Sequence, residues 1–258
     1  MTTTLRPVGP LQQAGDGTRS RAYEVCVNSR PVGGVRIATV RTADGAVGTI
    51  SDLRVAEADR GRGRGTVAAL AAEEVLRGWD CERIRVSVPA GAAPARRLAA
   101  ALGYTESGHL LLKELDRADP GPPAPAGLEV RPMTAAEFAP WRSAAPGRRE
   151  LLPDDPAAGG ARVDIALRDG VPVGHLWTGW RDLPAGERVP YVWEVEVTAT
   201  ERGKGYGRAL MRRAEAAVRE AGGHRLALRV DPANAPARAL YASLGYRPLS
   251  VDYEKRLY

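Results

Sequence analysis

"RGKGYG", Arg202–Gly207, is the stretch on which the reading of this chain turns, and a related one, "RGRGRG", fills Arg60–Gly65. Read alone, the earlier stretch is an arginine–glycine tract of the kind that clings to RNA. Its surroundings decide otherwise. An offset of 142, which lays Gly63 on Gly205, also lays Leu53-Arg54-Val55 on Val195-Glu196-Val197. The same offset carries "RIRVSV" (Arg83–Val88) onto "RLALRV" (Arg225–Val230) and "PARRLAAALGY" (Pro94–Tyr104) onto "PARALYASLGY" (Pro236–Tyr246). A low-complexity tract would not bring such neighbours with it, so the chain holds a duplicated folded unit. Single-strand binders also interleave aromatic and basic residues, and no aromatic lies between Arg54 and Ala72. Nucleic acid is therefore not the expected partner.

Between the copies runs "DRADPGPPAPAG", Asp116–Gly127. Proline and glycine at that density break both helix and central strand, which predicts a stiff linker. The expected organisation is a truncated first domain over 1–115, a linker over 116–126 and a complete second domain over 127–258. Within the second copy, "LEVRPM", Val163–Leu167, Val173–Trp180 and "YVWEVEV" (Tyr191–Val197) read as strands, with a helix near Thr134–Ala144. A helix follows the glycine loop from about Gly205 to Ala221, where Leu210, Ala214, Ala217, Val218 and Ala221 recur at helical spacing. Then come a strand (Leu226–Val230), a helix that Asp231-Pro232 and Asn234 open and Gly245 ends, and "SVDYEKRLY" as the strand closing the unit. The first copy has only about 47 residues ahead of its Gly48 strand, room for two strands but not for the helices.

Bulk properties bound the answer. The 258 residues, 44% apolar and 26% charged, are those of a globular protein. The net charge of +6 is carried almost wholly by arginine, since lysine occurs only at Lys113, Lys204 and Lys255. That balance favours anionic partners without choosing among them. Cys26 and Cys81 have neither zinc spacing nor a disulfide framework and are expected as buried thiols. Three scattered histidines point to no metal site. The opening "MTTTLRPVGPLQQAG" has no signal-peptide pattern, and no apolar run is long enough to span a membrane, so a cytoplasmic protein without a membrane partner is expected.

A strand followed by Arg-x-x-Gly-x-Gly and a helix has a physical purpose. The glycines permit positive φ and close approach to backbone amides. The first-turn amides of the helix lack internal partners, and its dipole favours negative charge. A pyrophosphate suits such a place, with Arg202, Lys204 and Arg208 around it.

With "VTATERGKGYGRAL" and "NAPARALYASLGY" in the second copy and degenerate counterparts in the first, the chain resembles the GCN5-related N-acetyltransferase (GNAT) superfamily in tandem form. The resemblance covers about Gly48–Lys113 and nearly all of Gly127–Tyr258. It implies an α/β fold of two tandem domains, each a mixed, mostly antiparallel sheet with a parallel pair at the cofactor cleft and flanking helices. It implies acetyl-CoA or another acyl-CoA as co-substrate and direct acyl transfer to an amine, with no metal. By resemblance, Val195, Glu196 and Val197 hydrogen-bond the pantetheine arm, and Arg202, Gly203, Lys204, Gly205, Tyr206, Gly207 and Arg208 hold the pyrophosphate. Asn234 lies near the cofactor, and Tyr241 protonates the departing thiolate. A phenol is protonated at neutral pH, as that role needs.

The copies are unequal. The first has Ala92 and Ala99 where the second has Asn234 and Tyr241, so activity is expected in the second domain. Val55, Arg60, Gly61, Arg62, Gly63, Arg64 and Gly65 remain as a second CoA site or as structure only. Many relatives carry a Glu or His base six or four residues before the valine matched to Val197, but here those positions are Tyr191 and Trp193, expected as walls of the acceptor pocket. Strand alternation directs Glu194 and Glu196 to the face opposite them, and His175 is a lone histidine on the preceding strand. The expected acceptor is a small-molecule amine. A protein amine, an acyl carrier protein as donor and a non-catalytic acyl-CoA sensor stay open as alternatives, as do monomer and homodimer.

Overall fold

The structure, a computed structural model, describes residues 2–42, 45–116, 124–152, 160–183 and 186–257. Its contacts divide the chain into two units, Met1–His109 with Ser250–Tyr258, and Leu110–Leu249. Most of the expected linker, 117–123, lies outside the described residues.

In the first unit, tight turns set the strand count. Asn28 and Ser29 both take positive φ (47° and 68°), a two-residue hairpin turn whose twist suits antiparallel strands. So few residues are spent turning that three strands, not the expected two, precede the Gly48 strand. β1 (Thr3–Gln13), β2 (Arg19–Val27), β3 (Arg30–Thr42) and β4 (Gly45–Val55) run as an antiparallel meander. α1 (Arg64–Arg77) then crosses to β5 (Arg83–Pro89), which pairs parallel with β4 from Val47↔Arg83 to Thr49↔Arg85. α2 (Ala93–Ala101) leads into β6 (Thr105–Glu114). Ile37, Leu76 and Ile84 are fully buried between sheet and helices, each contributing roughly 1.5–3 kcal/mol. Cys26 and Cys81 are free and buried, as expected.

In the second unit, β7 (Leu128–Pro132), α3 (Ala135–Ser143), α4 (Pro146–Leu151), β8 (Arg162–Arg168), β9 (Val171–Asp182) and β10 (Arg188–Val197) follow in turn. β7 to β10 are antiparallel neighbours. Thr134 opens α3 with a capping box, its side chain accepting from the Glu137 amide while the Glu137 carboxylate accepts from the Thr134 amide. α5 (Tyr206–Glu220), β11 (Arg225–Val230) and α6 (Ala235–Ser243) follow, and β10 and β11 form the parallel pair. The α/β fold of mostly antiparallel strands with a parallel pair in each unit agrees with expectation.

The last strand does not. β12 (Arg247–Arg256) was expected to close the second unit, but its residues Ser250–Arg256 belong to the first, antiparallel to β5. Val251 and Tyr253 are buried there, and Glu254 pairs with Arg85 at 2.9 Å. Conversely, Leu110–Glu114 of β6 belong to the second unit, where Leu110 and Leu111 are buried and Glu114 pairs with Arg225 at 2.7 Å. Among the described residues no helix is long and apolar enough to cross a membrane.

Candidate active site

β10 and β11 pair only at Tyr191↔Ala227 and Val192↔Leu228. Beyond that they splay, while Val195, Glu196 and Val197 stay paired to β9 on their other side. The splay opens a cleft of about 500 Å³, walled by Val195–Val197, the glycine loop and α6. Gly203 and Gly205 sit at φ +80° and +86°, a region costly for any residue with a Cβ. Gly205 is the N-cap of α5 and no side chain caps that end, leaving the first-turn amides for a ligand. Arg202 ties the loop to the strand, its Nε donating to the Val197 carbonyl at 3.1 Å.

Arg202, Gly203, Gly205, Tyr206, Gly207, Arg208, Asn234 and Tyr241 all line this cleft, so the structure brings the expected residues together. Lys204 is the exception: its Nζ sits 2.9 Å from Glu201, and it is not on the cleft wall. Tyr206 is buried, its hydroxyl accepting from Arg168 at 2.6 Å. Asn234 caps α6 by accepting from the Ala237 amide at 3.1 Å. Tyr241 is 6% exposed. Burial, with the nearby Tyr191 phenol, pushes its hydroxyl up to about 12, so it holds its proton throughout the neutral range. A second hollow of about 210 Å³ adjoins Trp193, Glu194, Asn234 and Tyr241, so Tyr241 borders both.

The other wall corrects the sequence reading. β10 bulges between Val192 and Glu194, so Trp193 has no partner opposite it. The extra residue resets the alternation. Trp193 stacks on Trp177 at 5.7 Å, Glu194 lies opposite Trp177, and Glu196 lies opposite His175. Glu194 and Glu196 therefore share the face of Trp193 rather than opposing it. Tyr191 and Trp193 meet edge to face at 4.8 Å, and Arg181 donates to the Tyr191 hydroxyl at 2.6 Å.

Sequence reasoning missed Arg148, on the short α4. Its guanidinium grips both oxygens of Glu194, touches His175 at 3.2 Å and lies 4.3 Å over the Trp141 ring. No periodicity marks a six-residue helix, so only Pro146 at its start was a signal. Burial pushes the Glu194 carboxyl up, but hydrogen bonds from Arg148 and His175, with their charges, outweigh it and hold it at about 2. A carboxylate so stabilised is a poor proton acceptor, so its role is to hold Arg148 and His175. His175, Glu194 and Glu196 present ligating atoms within 4.8 Å of one another, but the Arg148 guanidinium already supplies the cation that a metal would bring.

In the first unit the loop keeps its shape. Gly61 and Gly63 are both at φ +71°, and the Arg60 Nε donates to the Val55 carbonyl at 2.9 Å. Its side chains differ. Arg64 is buried against Asp59, Thr66 replaces Arg208, and Ala99 lies in the core where the other unit has its phenol.

The sequence profile of the Acetyltransferase (GNAT) family matches residues 6–104 and again 129–246. The chain belongs to the GNAT acetyltransferase family. It is 32% identical to a mycothiol acetyltransferase of Thermobispora bispora over 218 residues, 74% of this chain and 70% of that one. It is 30% identical to the mycothiol acetyltransferase of Salinispora arenicola over 257 residues, 84% and 80% of the two chains. Among solved structures, a tandem GNAT protein from the clavulanic acid biosynthesis pathway aligns with TM-score 0.54 at 22% identity, covering 95% of this chain and 85% of that one. A GNAT of Sphaerobacter thermophilus aligns at 0.57 and 21%, covering 91% and 80%. These two show the shared fold. The chain is thus a tandem GNAT enzyme, and the family uses acetyl-CoA in general.

Proposed function

We propose that the second unit transfers an acetyl group from acetyl-CoA directly to a primary amine of a small molecule. Tyr241 carries this reading: a buried, protonated phenol at the splay, between the glycine loop and the aromatic wall. In this reading the loop amides of Gly203–Gly207 and the Arg202 and Arg208 side chains hold the diphosphate. The β10 edge takes the pantetheine arm, and an amide near Val195 stabilises the carbonyl oxygen as charge develops on it. The neutral amine bonds to the carbonyl carbon and sheds a proton to solvent, and Tyr241 gives its proton to the sulfur as the carbon–sulfur bond breaks, regaining one from solvent afterwards.

The Tyr191–Trp193–Trp177 wall suits a compact acceptor, and the mycothiol acetyltransferase relatives favour a small molecule over a protein amine. The first unit, with Ala99 at the acid position, is read as non-catalytic. Its loop at Arg60–Gly65 retains the shape for a diphosphate, and titration calorimetry with acetyl-CoA reads the outcome as one site per chain or two.

The decisive experiment is Tyr241→Phe. Turnover should fall about a hundredfold while acetyl-CoA affinity stays within about twofold, as for loss of a general acid. Unchanged turnover would remove the acid role, and a wild-type enzyme that turns over only with a carrier-bound thioester and not with acetyl-CoA would point to a carrier-protein donor.

A further inference from the structure

Of the three lysines among 37 cationic residues, two are related by the repeat: the offset of 142 lays Lys113 on Lys255. It also lays Glu73 on Glu215 and Tyr104 on Tyr246. In space these six residues form two matching triads. The Lys113 Nζ is 2.8 Å from Glu215 and 5.7 Å from the centre of the Tyr246 ring. The Lys255 Nζ is 2.7 Å from Glu73 and 5.3 Å from the Tyr104 ring. Each lysine lies in the part of a closing strand that belongs to the other copy's unit, and each glutamate lies on the helix after a glycine loop. A compact ammonium fits between a buried carboxylate and a ring face where a broad guanidinium would not, which explains lysine in an arginine-rich chain.

The triads differ in what stands behind them. In the second unit the Tyr246 ring meets the Tyr241 ring edge-on, centroids 6.0 Å apart and planes at 63°. The Tyr246 amide also donates to the Tyr241 carbonyl at 3.0 Å. In the first unit the Tyr104 amide makes the same bond to Ala99 at 3.1 Å, with no ring to hold. We infer that Lys113, supplied by the first half of the sequence, is a positioning residue for Tyr241: it pins Tyr246, and Tyr246 fixes the phenol at the splay. The inference rests on the reading of Tyr241 as the acid. Proton transfer to a departing sulfur tolerates little misplacement, so a tilted Tyr246 slows the reaction without touching the cofactor.

Two different costs separate the triads. Glu215 keeps Arg212 at 3.0 Å and Arg219 at 3.6 Å when Lys113 is removed, so a Lys113→Met variant leaves no uncompensated buried charge. Glu73 is 4% exposed at its side chain, and Lys255 is its sole ion-pair partner among the described residues. Lys255→Met is therefore the more destabilising change but stands behind no acid.

The test uses the full chain with acetyl-CoA and hydroxylamine, a small neutral nucleophile that needs no acceptor pocket, following release of the free thiol. Lys113→Met, Tyr246→Leu and Lys255→Met are each made with Tyr241 intact and in Tyr241→Phe. Lys113→Met and Tyr246→Leu should lower kcat about tenfold with KM for acetyl-CoA within about twofold, and neither should lower it further in Tyr241→Phe. Lys255→Met should lower the melting temperature more than Lys113→Met and leave kcat unchanged. Wild-type kcat in Lys113→Met, an equal loss with the phenol already gone, or an equal loss in Lys255→Met overturns the inference. If Lys113→Met does not fold, Tyr246→Leu in the two backgrounds decides the same question. A Tyr241→Phe enzyme at full rate overturns the acid reading and this inference with it, whereas a slow Tyr241→Phe with additive Lys113→Met overturns only the inference.

Discussion

The loops at Arg60–Gly65 and Arg202–Gly207 have nearly the same backbone, yet the cleft beside the second is lined by Tyr241, whose counterpart in the first unit is Ala99. Positive φ at two glycines and an arginine tied to the strand-end carbonyl recur in both. What has diverged is the side chains: Thr66 for Arg208, Arg64 drawn onto Asp59, Ala92 for the Asn234 cap and Ala99 for Tyr241. The lesson is that a backbone cradle survives on conformational requirements alone, because its glycines are needed for the chain to turn into the helix. Chemistry depends on a few side chains that can be lost without disturbing it.

That contrast is open to attack at several levels. The largest expected effect is on turnover. Tyr241→Phe should cost about a hundredfold, whereas Ala99→Ser should leave kcat unchanged; any loss at Ala99 would show the first unit taking part. Next come the paired arginines. Arg202→Ala should weaken acetyl-CoA binding about tenfold in calorimetry and Arg60→Ala should leave turnover intact, each measured against the other. Smaller still is the pair of N-cap glycines. Gly205→Ala and Gly63→Ala should each lose roughly 1–2 kcal/mol of stability for a Cβ at positive φ, read by denaturant unfolding, but only the former should also lower turnover.

The smallest effect concerns pH. Glu194 is held at about 2, below its ordinary value, so its contribution to stability is fully present above about 4.5 and is lost as pH falls towards 2. Protonation there releases Arg148, and with it the contacts among Trp141, Trp177 and Trp193. Tryptophan fluorescence should change over that window, and Glu194→Gln should abolish the transition.

Much of this was legible in the sequence because the determinants are local. A glycine loop between a strand and a helix, an Asn-Ala-Pro cap and a tyrosine two turns later each follow from neighbours in the chain. The parts that were not legible depend on partners far away or on a single inserted residue. The bulge at Trp193 turns Glu194 and Glu196 onto the aromatic face, and strict alternation gives no hint of one residue too many. Arg148 is recognisable only beside Glu194, 46 residues distant. The exchange of β6 and β12 is hidden by the repeat itself: Lys113 and Lys255 occupy equivalent places, so either strand reads as a fit for either unit.

The placement of Ser250–Arg256 against β5 sets a timetable for synthesis. Translation at about 5–20 residues per second leaves the edge of β5 bare from the moment it emerges until residues 250–256 have emerged in their turn. Throughout that interval the nascent chain carries an open strand edge that invites mispairing.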